Sequence, residues 1–484
     1  MQQESIADIN TSEKEHRNTE RLIALIREGR ALSFGQQVRL AALLSIPAMI
    51  AQLSSIVMQY IDASMVGSLG ANASAAIGLV STTTWLFWGL CSACAMGFSV
   101  QVAHRIGAGD MHGARSVVRQ ALTATGFFGI LVGAVGVAIS GALPRWLGGD
   151  PVIHDEAATY FFIYSIFLPM MQLNFLAGGM LRCSGNMKVP SMLGVLMCVL
   201  DVIFNFLFIF PSCTVSISGL QMHLPGLGLG VEGAALGTVA AETIVAVAML
   251  WYLWTQSGQL KLTHEKGSFI PEWDTLKKAM RIGLPMGIEH VVICGAQIMT
   301  TVIVAPLGVF AIAANSFGVT AESLCYMPGY GIAEAATTLT GQSIGAGRRR
   351  LTLRFAWLTV GMGMTVMAFM GALMYIFAPE IIGFMSPVAE IRELGVTAMR
   401  IEAFAEPMFA ASIVAYGVFV GAGSTLMPCI MNFFSIWAVR ITLAAMLAPS
   451  MGLDGVWLAM CIELCFRGVI FLLWLRWGKW MRKV

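Results

Sequence analysis

Asp201 and Asn205 stand four residues apart in an otherwise apolar run, and Asp62, Asn174 and Thr238 interrupt three other such runs. A spacing of four puts Asp201 and Asn205 on one face of a helix. Carboxylate, amide and hydroxyl oxygens gathered out of water suit two kinds of chemistry. One is the binding of a hard cation, which takes oxygen ligands; for Na⁺ the ligands would be Asp62, Asp201 and Asn205. The other is proton exchange, because desolvation disfavours the charged form of a carboxyl and makes it titratable. A knot of hydrogen bonds that only ties helices together is the plainer alternative.

A second set of ionisable residues lies further along the chain. Glu289 follows Pro285 by one turn, Glu322 and Glu334 share a later apolar run, and Glu402 and Glu406 are four apart on the next but one. Arg440 and Arg467 need acidic partners, and Glu463 reaches Arg467 at i, i+4. An ionised side chain inside a bilayer costs about 2.5–3.5 kcal/mol even on lenient scales, so each is a functional candidate. The expectation is that Gln59, Glu289, Glu322, Glu402 and Glu406 face a substrate cavity, the alternative being that the glutamates only pair with Arg440 and Arg467. Arg440, Glu463 and Arg467 would form a structural charge network.

The elements that carry these residues must be membrane helices. Of 484 residues, 57% are hydrophobic and 12% charged, with a mean hydropathy of +0.76. Soluble domains carry about 25% charged residues, so a soluble enzyme is excluded, and a net charge of +2 makes no case for nucleic acid. Runs of about 20 apolar residues are predicted to span near 41–67, 75–103, 118–142, 157–181, 189–211, 231–256, 282–305, 312–341, 355–378, 396–420, 428–449 and 455–475. The chain is thus expected to be an all-α integral membrane protein of twelve helices.

Charge orients it. With the amino terminus inside, inner segments hold 24 Lys and Arg, and outer loops hold only Arg145, Arg392 and Arg400. That asymmetry predicts both termini on the cytoplasmic side. Residues 1–39 are polar and lack a signal-peptide pattern. Within them Ser12-x-x-Glu15 has capping-box spacing ahead of Leu22, Ile23 and Ile26, which fits either a short helix on the inner face or a partly ordered juxtamembrane tail. Cys91-x-x-Cys94 has metal spacing but no second pair or His partner, and reads as small buried helix residues. No His-Glu-x-x-His pattern occurs, and neither Gly107-Ala108-Gly109 nor Gly345-Ala346-Gly347 is followed by Lys-Ser/Thr, so nothing points to ATP use. The two triplets instead predict matching tight turns.

Those turns belong to an internal repeat. A shift of 238 residues places Pro47 on Pro285, Gln59 on Gln297, Leu69-Gly70 on Leu307-Gly308, Ile106–Gly109 on Ile344–Gly347, Pro169 on Pro407 and Pro190 on Pro428. Six helices per repeat keep both halves in one orientation, related by a pseudo-two-fold axis along the membrane normal, with substrate bound between them. The expected divisions are a tail at 1–40, a first lobe at 41–257, a linker at 258–281, a second lobe at 282–476 and a terminus at 477–484. No acid of one lobe aligns with an acid of the other: Asp62 falls on Thr300, and Glu289 falls on Ala51.

Pro47…Asp62-x4-Gly67-x2-Gly70, Gly107-Ala108-Gly109, Leu181-Arg182-Cys183-Ser184-Gly185-Asn186 and Gly233-Ala234-Ala235 together resemble the multidrug and toxic compound extrusion (MATE) transporters over nearly all of 41–475. The resemblance implies two six-helix bundles around a V-shaped cavity and export of organic cations in exchange for H⁺ or Na⁺ by rocker-switch alternating access. It also implies a first-helix acid joined by polar groups on the fourth, fifth and sixth helices, positions that Asp62, Asn174 and Thr238 match. On the fifth helix Asp201 precedes Asn205, whereas the family usually has the amide first. The expected partners are the lipid bilayer and small, cationic substrates, with no cofactor beyond the coupling ion, in a monomer of the inner membrane. The acid excess over buried bases favours cationic cargo. The alternatives are a flippase for lipid-linked precursors from the wider superfamily, or a membrane-embedded enzyme. The first tends to have extra helices and a basic cavity, and the second lacks a catalytic set here.

Overall fold

The computed structural model describes residues 18–217, 220–263 and 265–481. The expected cap at Ser12 and Glu15 lies outside them. Helix α1 spans 18–27. Its apolar face, Leu22, Ile23 and Ile26, is buried against Leu40 and Leu44 and against Leu351 and Phe355 from far along the chain. Arg348 fastens α1 by donating to the carbonyl of Leu25 at 3.2 Å.

The first half continues with α2 (Phe34–Gly67), α3 (Ala71–Gly107), α4 (Met111–Ile139), the single turn α5 (Leu143–Trp146), α6 (His154–Cys183), α7 (Lys188–Ile209) and α8 (Val231–Thr255). Ser33 and Gln36 close a reciprocal capping box at the start of α2, which satisfies amides that a helix terminus otherwise leaves open. Between α7 and α8 an antiparallel hairpin, β1 (Pro211–Ile217) and β2 (Leu220–Leu227), pairs Ile217 with Leu220. It was not anticipated, although Thr214, Val215 and Ile217 are β-branched and suit a strand.

The second half holds α9 (Trp273–Val304), α10 (Val309–Gly345), α11 (Arg349–Met385), α12 (Ala389–Ala403), α13 (Glu406–Gly421), α14 (Leu426–Phe434), a wide π-type segment (Ser435–Ile441), α15 (Thr442–Met451) and α16 (Leu453–Trp477). Among the described residues ten helical stretches are long and apolar enough to cross a membrane, and the bent pair α12–α13 makes an eleventh. Twelve were expected. The remaining candidate, α10, has 37 residues but carries Glu322, Glu334 and a run of Thr, Gln and Ser. It packs against α2, α3, α11 and α13, and Glu322 with Thr337, Thr338, Thr340, Gln342 and Ser343 is buried there, where polar residues are tolerated.

The bend corrects a second expectation. Glu402 and Glu406 do not ride one continuous helix: α12 and α13 meet at 59°. Pro407 has no N–H, and its ring excludes the carbonyl four residues back, which breaks the helix there. Its repeat partner Pro169 stays inside the unbroken α6.

Helices of the two halves meet along α2–α10, α3–α9 and α3–α10. The last crossing is tight: a Cβ on Gly107 would lie 2.0 Å from the carbonyl oxygen of Gln342, and one on Gly345 would lie 2.1 Å from that of His104. These equivalent glycines let two backbones touch. Just beyond them Gly109 (φ +77°) and Gly347 (φ +70°) reverse the chain in the left-handed region that favours glycine. Asp110 then caps α4, accepting from the Gly113 amide at 2.8 Å. That bond, aided by Arg105, holds the Asp110 carboxyl below its ordinary value.

Hydrogen bonds across the two halves cluster at this arginine-rich end. Gln342 donates to the carbonyl of Cys183 at 2.9 Å, Thr338 to that of Arg182 at 3.0 Å, and Arg182 faces Glu334 at 3.7 Å. The connection from α8 to α9 is strapped to α4. Arg115 pairs with Glu265, and the amide of Glu272 donates to Gln120 at 2.9 Å.

Candidate functional site

Asp62, on α2, faces α7. The Asn205 side-chain amide donates to Asp62 Oδ1 and to Asp201 Oδ2, each at 3.0 Å. Asp201 and Asn205 are each 1% exposed, and the helical spacing of four turns both toward α2. The two carboxyls also stand beside each other, and Thr238 of α8 lies against Asp201. Tyr160 of α6 stands close to both acids.

This cluster has acceptors to spare. Asp201 Oδ1 and Asn205 Oδ1 are buried with no hydrogen-bond partner. The charges acting on Asp201 are themselves carboxyls, Asp62 and Glu242. Two adjacent carboxylates cannot both stay charged out of water without a compensating positive charge. A proton shared between them or a cation among the free oxygens supplies it.

Gly237 makes the arrangement fit. A Cβ there would stand 2.1 Å from Asn205 Oδ1 and 2.8 Å from the Asn205 backbone nitrogen. Gly237→Ala must therefore push α8 off α7 or turn the amide away. Overpacking of this kind costs about 1–3 kcal/mol. A lower midpoint is expected when thermal unfolding of the purified variant is followed by tryptophan fluorescence.

Asn174 departs from the expected set. It does not join Asp62; its side chain lies against Glu242, one turn beyond Thr238 on α8. Glu242, beside Tyr164 and Met171, was not among the expected site residues. An acid within an apolar run was signal enough to find it, whereas its pairing with Asn174 depends on how α6 and α8 are rotated.

In the second half, Glu289 is 7% exposed and takes a hydrogen bond from Asn432, with Tyr416 close beside it. Neither neighbour was foreseen. Glu402 and Glu406 are fully buried, and all four of their carboxyl oxygens lack a hydrogen-bond partner by distance and angle. Glu322 acts on both electrostatically. In this conformation the three sit inside packed helices, whereas Gln59 is exposed. Glu463, also fully buried, receives Arg440 at 2.7 Å and Arg467 at 2.8 Å, with the Ser435 hydroxyl at 2.5 Å. The widened turn at Ser435–Ile441 carries both Ser435 and Arg440 to that carboxylate, and such segments recur at functional sites.

The MatE family model matches residues 47–207 and again 285–446. The chain belongs to the MatE family. The two matches begin 238 residues apart, the same shift that aligns the prolines and glycines of the internal repeat. A MatE chain is a multi-pass membrane transporter rather than an enzyme, which agrees with the helices described above. Similar relatives include the probable multidrug resistance protein NorM of Thermotoga maritima, 26% identical over 447 residues and covering 91% of this chain and 92% of that one. The multidrug resistance protein MdtK of Yersinia enterocolitica is 25% identical over 445 residues, covering 90% and 94%. Among solved structures, a MATE in the straight conformation has a TM-score of 0.85 at 21% identity over 94% of this chain and 97% of that one. An outward-facing multidrug resistance MATE transporter has a TM-score of 0.84 at 22% identity, covering 91% and 95%.

Proposed function

We propose that this chain is a secondary antiporter that exports small organic cations in exchange for H⁺ or Na⁺. The observation that carries the reading is the Asp62–Asn205–Asp201 cluster, with two buried oxygens unpartnered and only carboxyls as charged neighbours. Relatives named as multidrug resistance proteins support the choice of cargo. The buried acids Glu289, Glu322, Glu402 and Glu406 favour a positive charge on it.

In this reading α10 and the bent α12–α13 pair count as spans, and twelve helices form two lobes, 41–257 and 282–476, about an axis along the membrane normal. The arginine-rich end faces the cytoplasm with both termini, in the inner membrane of the cell. Hydrogen bonds from Thr338 and Gln342 to the Arg182–Cys183 backbone then close the cytoplasmic side, so the cleft opens outward. A cation or proton entering from outside settles among Asp62, Asp201, Asn205 and Thr238 and removes the repulsion between the acids. The α2–α7–α8 contact tightens, cargo is released, and the lobes rock back as a monomeric unit.

Efflux of a fluorescent organic cation from vesicles, with proton and sodium gradients imposed separately, tests the proposal. Transport is expected to follow one gradient and to stop when that gradient is collapsed. Transport that ignores both gradients would refute ion coupling.

A further inference from the structure

A groove of about 800 Å³ runs between Phe34, at the start of α2, and one face of α11. Along that face Arg350, Arg354, Trp357, Gly361 and Thr365 follow at helical spacing, while Leu351 and Phe355 point the other way into the core around α1. The groove is apolar apart from Arg354 and Thr365. Arg349, Arg350 and Arg354 are exposed, and among the described residues none of the three pairs with a carboxylate. Arg348, by contrast, is engaged by α1.

The dimensions fit one leaflet. From Arg354 to Val366 the helix rises about 18 Å at 1.5 Å per residue, close to half of a hydrocarbon core about 30 Å thick. Trp357, 40% exposed, sits one turn deeper than Arg354, at the depth where aromatic side chains anchor at the membrane interface. A free phosphate would satisfy the arginines but leave the apolar wall empty. A zwitterionic lipid would fill the wall but gain little from the arginines. Basic pockets between membrane helices on this side select anionic head groups.

We propose that this groove is a binding site for an anionic phospholipid, with the head-group phosphate at Arg350 and Arg354 and one acyl chain along Trp357 and Gly361 toward Val366. An occupied groove would brace α2 and α11 where α1 is tied to them.

Native mass spectrometry of the full chain in detergent, titrated with dioleoyl phosphatidylglycerol or dioleoyl phosphatidylcholine, tests the site. One phosphatidylglycerol is expected to remain bound under conditions that strip phosphatidylcholine. Each neutralised arginine is worth about five-fold in affinity, so Arg350→Gln with Arg354→Gln should weaken binding about 25-fold. Gly361→Leu provides an independent arm. A Cβ at Gly361 meets nothing within 4 Å, and leucine is a better helix former than glycine, so the variant folds while its side chain fills the groove. It should lose the lipid with both arginines intact. Equal retention of the two lipids would overturn the proposal, as would indifference to either set of variants. A dimer peak that disappears in Gly361→Leu, with no lipid bound, would overturn it too and assign the face to a second copy of the chain.

Discussion

Asp201→Asn and Asp62→Asn are each expected to stop gradient-driven export while leaving the protein folded. Each replaces one of two adjacent carboxyls by an amide of nearly the same shape, which imitates the protonated side chain permanently. The like-charge repulsion in the Asp62–Asn205–Asp201 cluster disappears, so stability should hold or rise. What is lost is the change in charge that links ion binding to cargo release. Linkage of this kind is typically worth about 1–3 kcal/mol, or about 5–150-fold between the two ligands. Driven accumulation in proteoliposomes should therefore drop at least about ten-fold, and cargo affinity should no longer respond to pH or Na⁺. Wild-type export rates in both variants would remove this cluster from the coupling step.

Glu463→Gln should have the largest effect on stability. It leaves Arg440 and Arg467 facing a neutral amide in a fully buried position. Breaking a buried ion pair by removing one partner typically costs about 3–5 kcal/mol. Arg467 gains little elsewhere: its guanidinium lies 5.7 Å from the ring centre of Phe409, and its remaining acidic neighbours are Glu289, which Asn432 already engages, and Glu322, neither of which forms an ion pair with it within 4 Å. The midpoint of unfolding in denaturant should fall sharply. Replacing all three members of the network by leucine should cost much less, because apolar replacement of a buried charge cluster is often neutral or better. A Glu463→Gln variant as stable as the parent would show that the triad holds nothing together.

The two clusters suit different roles. The Asp62–Asn205–Asp201 cluster keeps unpartnered acceptors beside its acids, which suits exchange of an ion. At Glu463 every charge is answered by an opposite one within 3 Å, which suits a fixed strut. The halves share prolines and turn glycines, yet Asp110 caps α4 while its repeat equivalent Arg348 holds α1 instead. Duplication kept the scaffold and left the side chains free to diverge.

The amino-acid sequence alone determined the membrane setting, nearly all of the helices, the 238-residue repeat and the shared face of Asp201 and Asn205. Those properties are local or periodic: apolar length fixes a span, a spacing of four fixes a face, and a collinear set of prolines and glycines survives duplication. Tertiary structure alone decided that Asn174 meets Glu242 rather than Asp62, that Pro407 breaks a helix while Pro169 does not, and that Gly237 makes room for the Asn205 amide. It also decided that Glu322 and the Thr, Gln and Ser run of α10 are buried among other helices, which is why those residues did not disqualify it from the bundle. Each of these depends on how one helix is rotated and shifted against another. No hydropathy pattern along a single segment records that rotation, because it follows from packing between segments far apart in the chain.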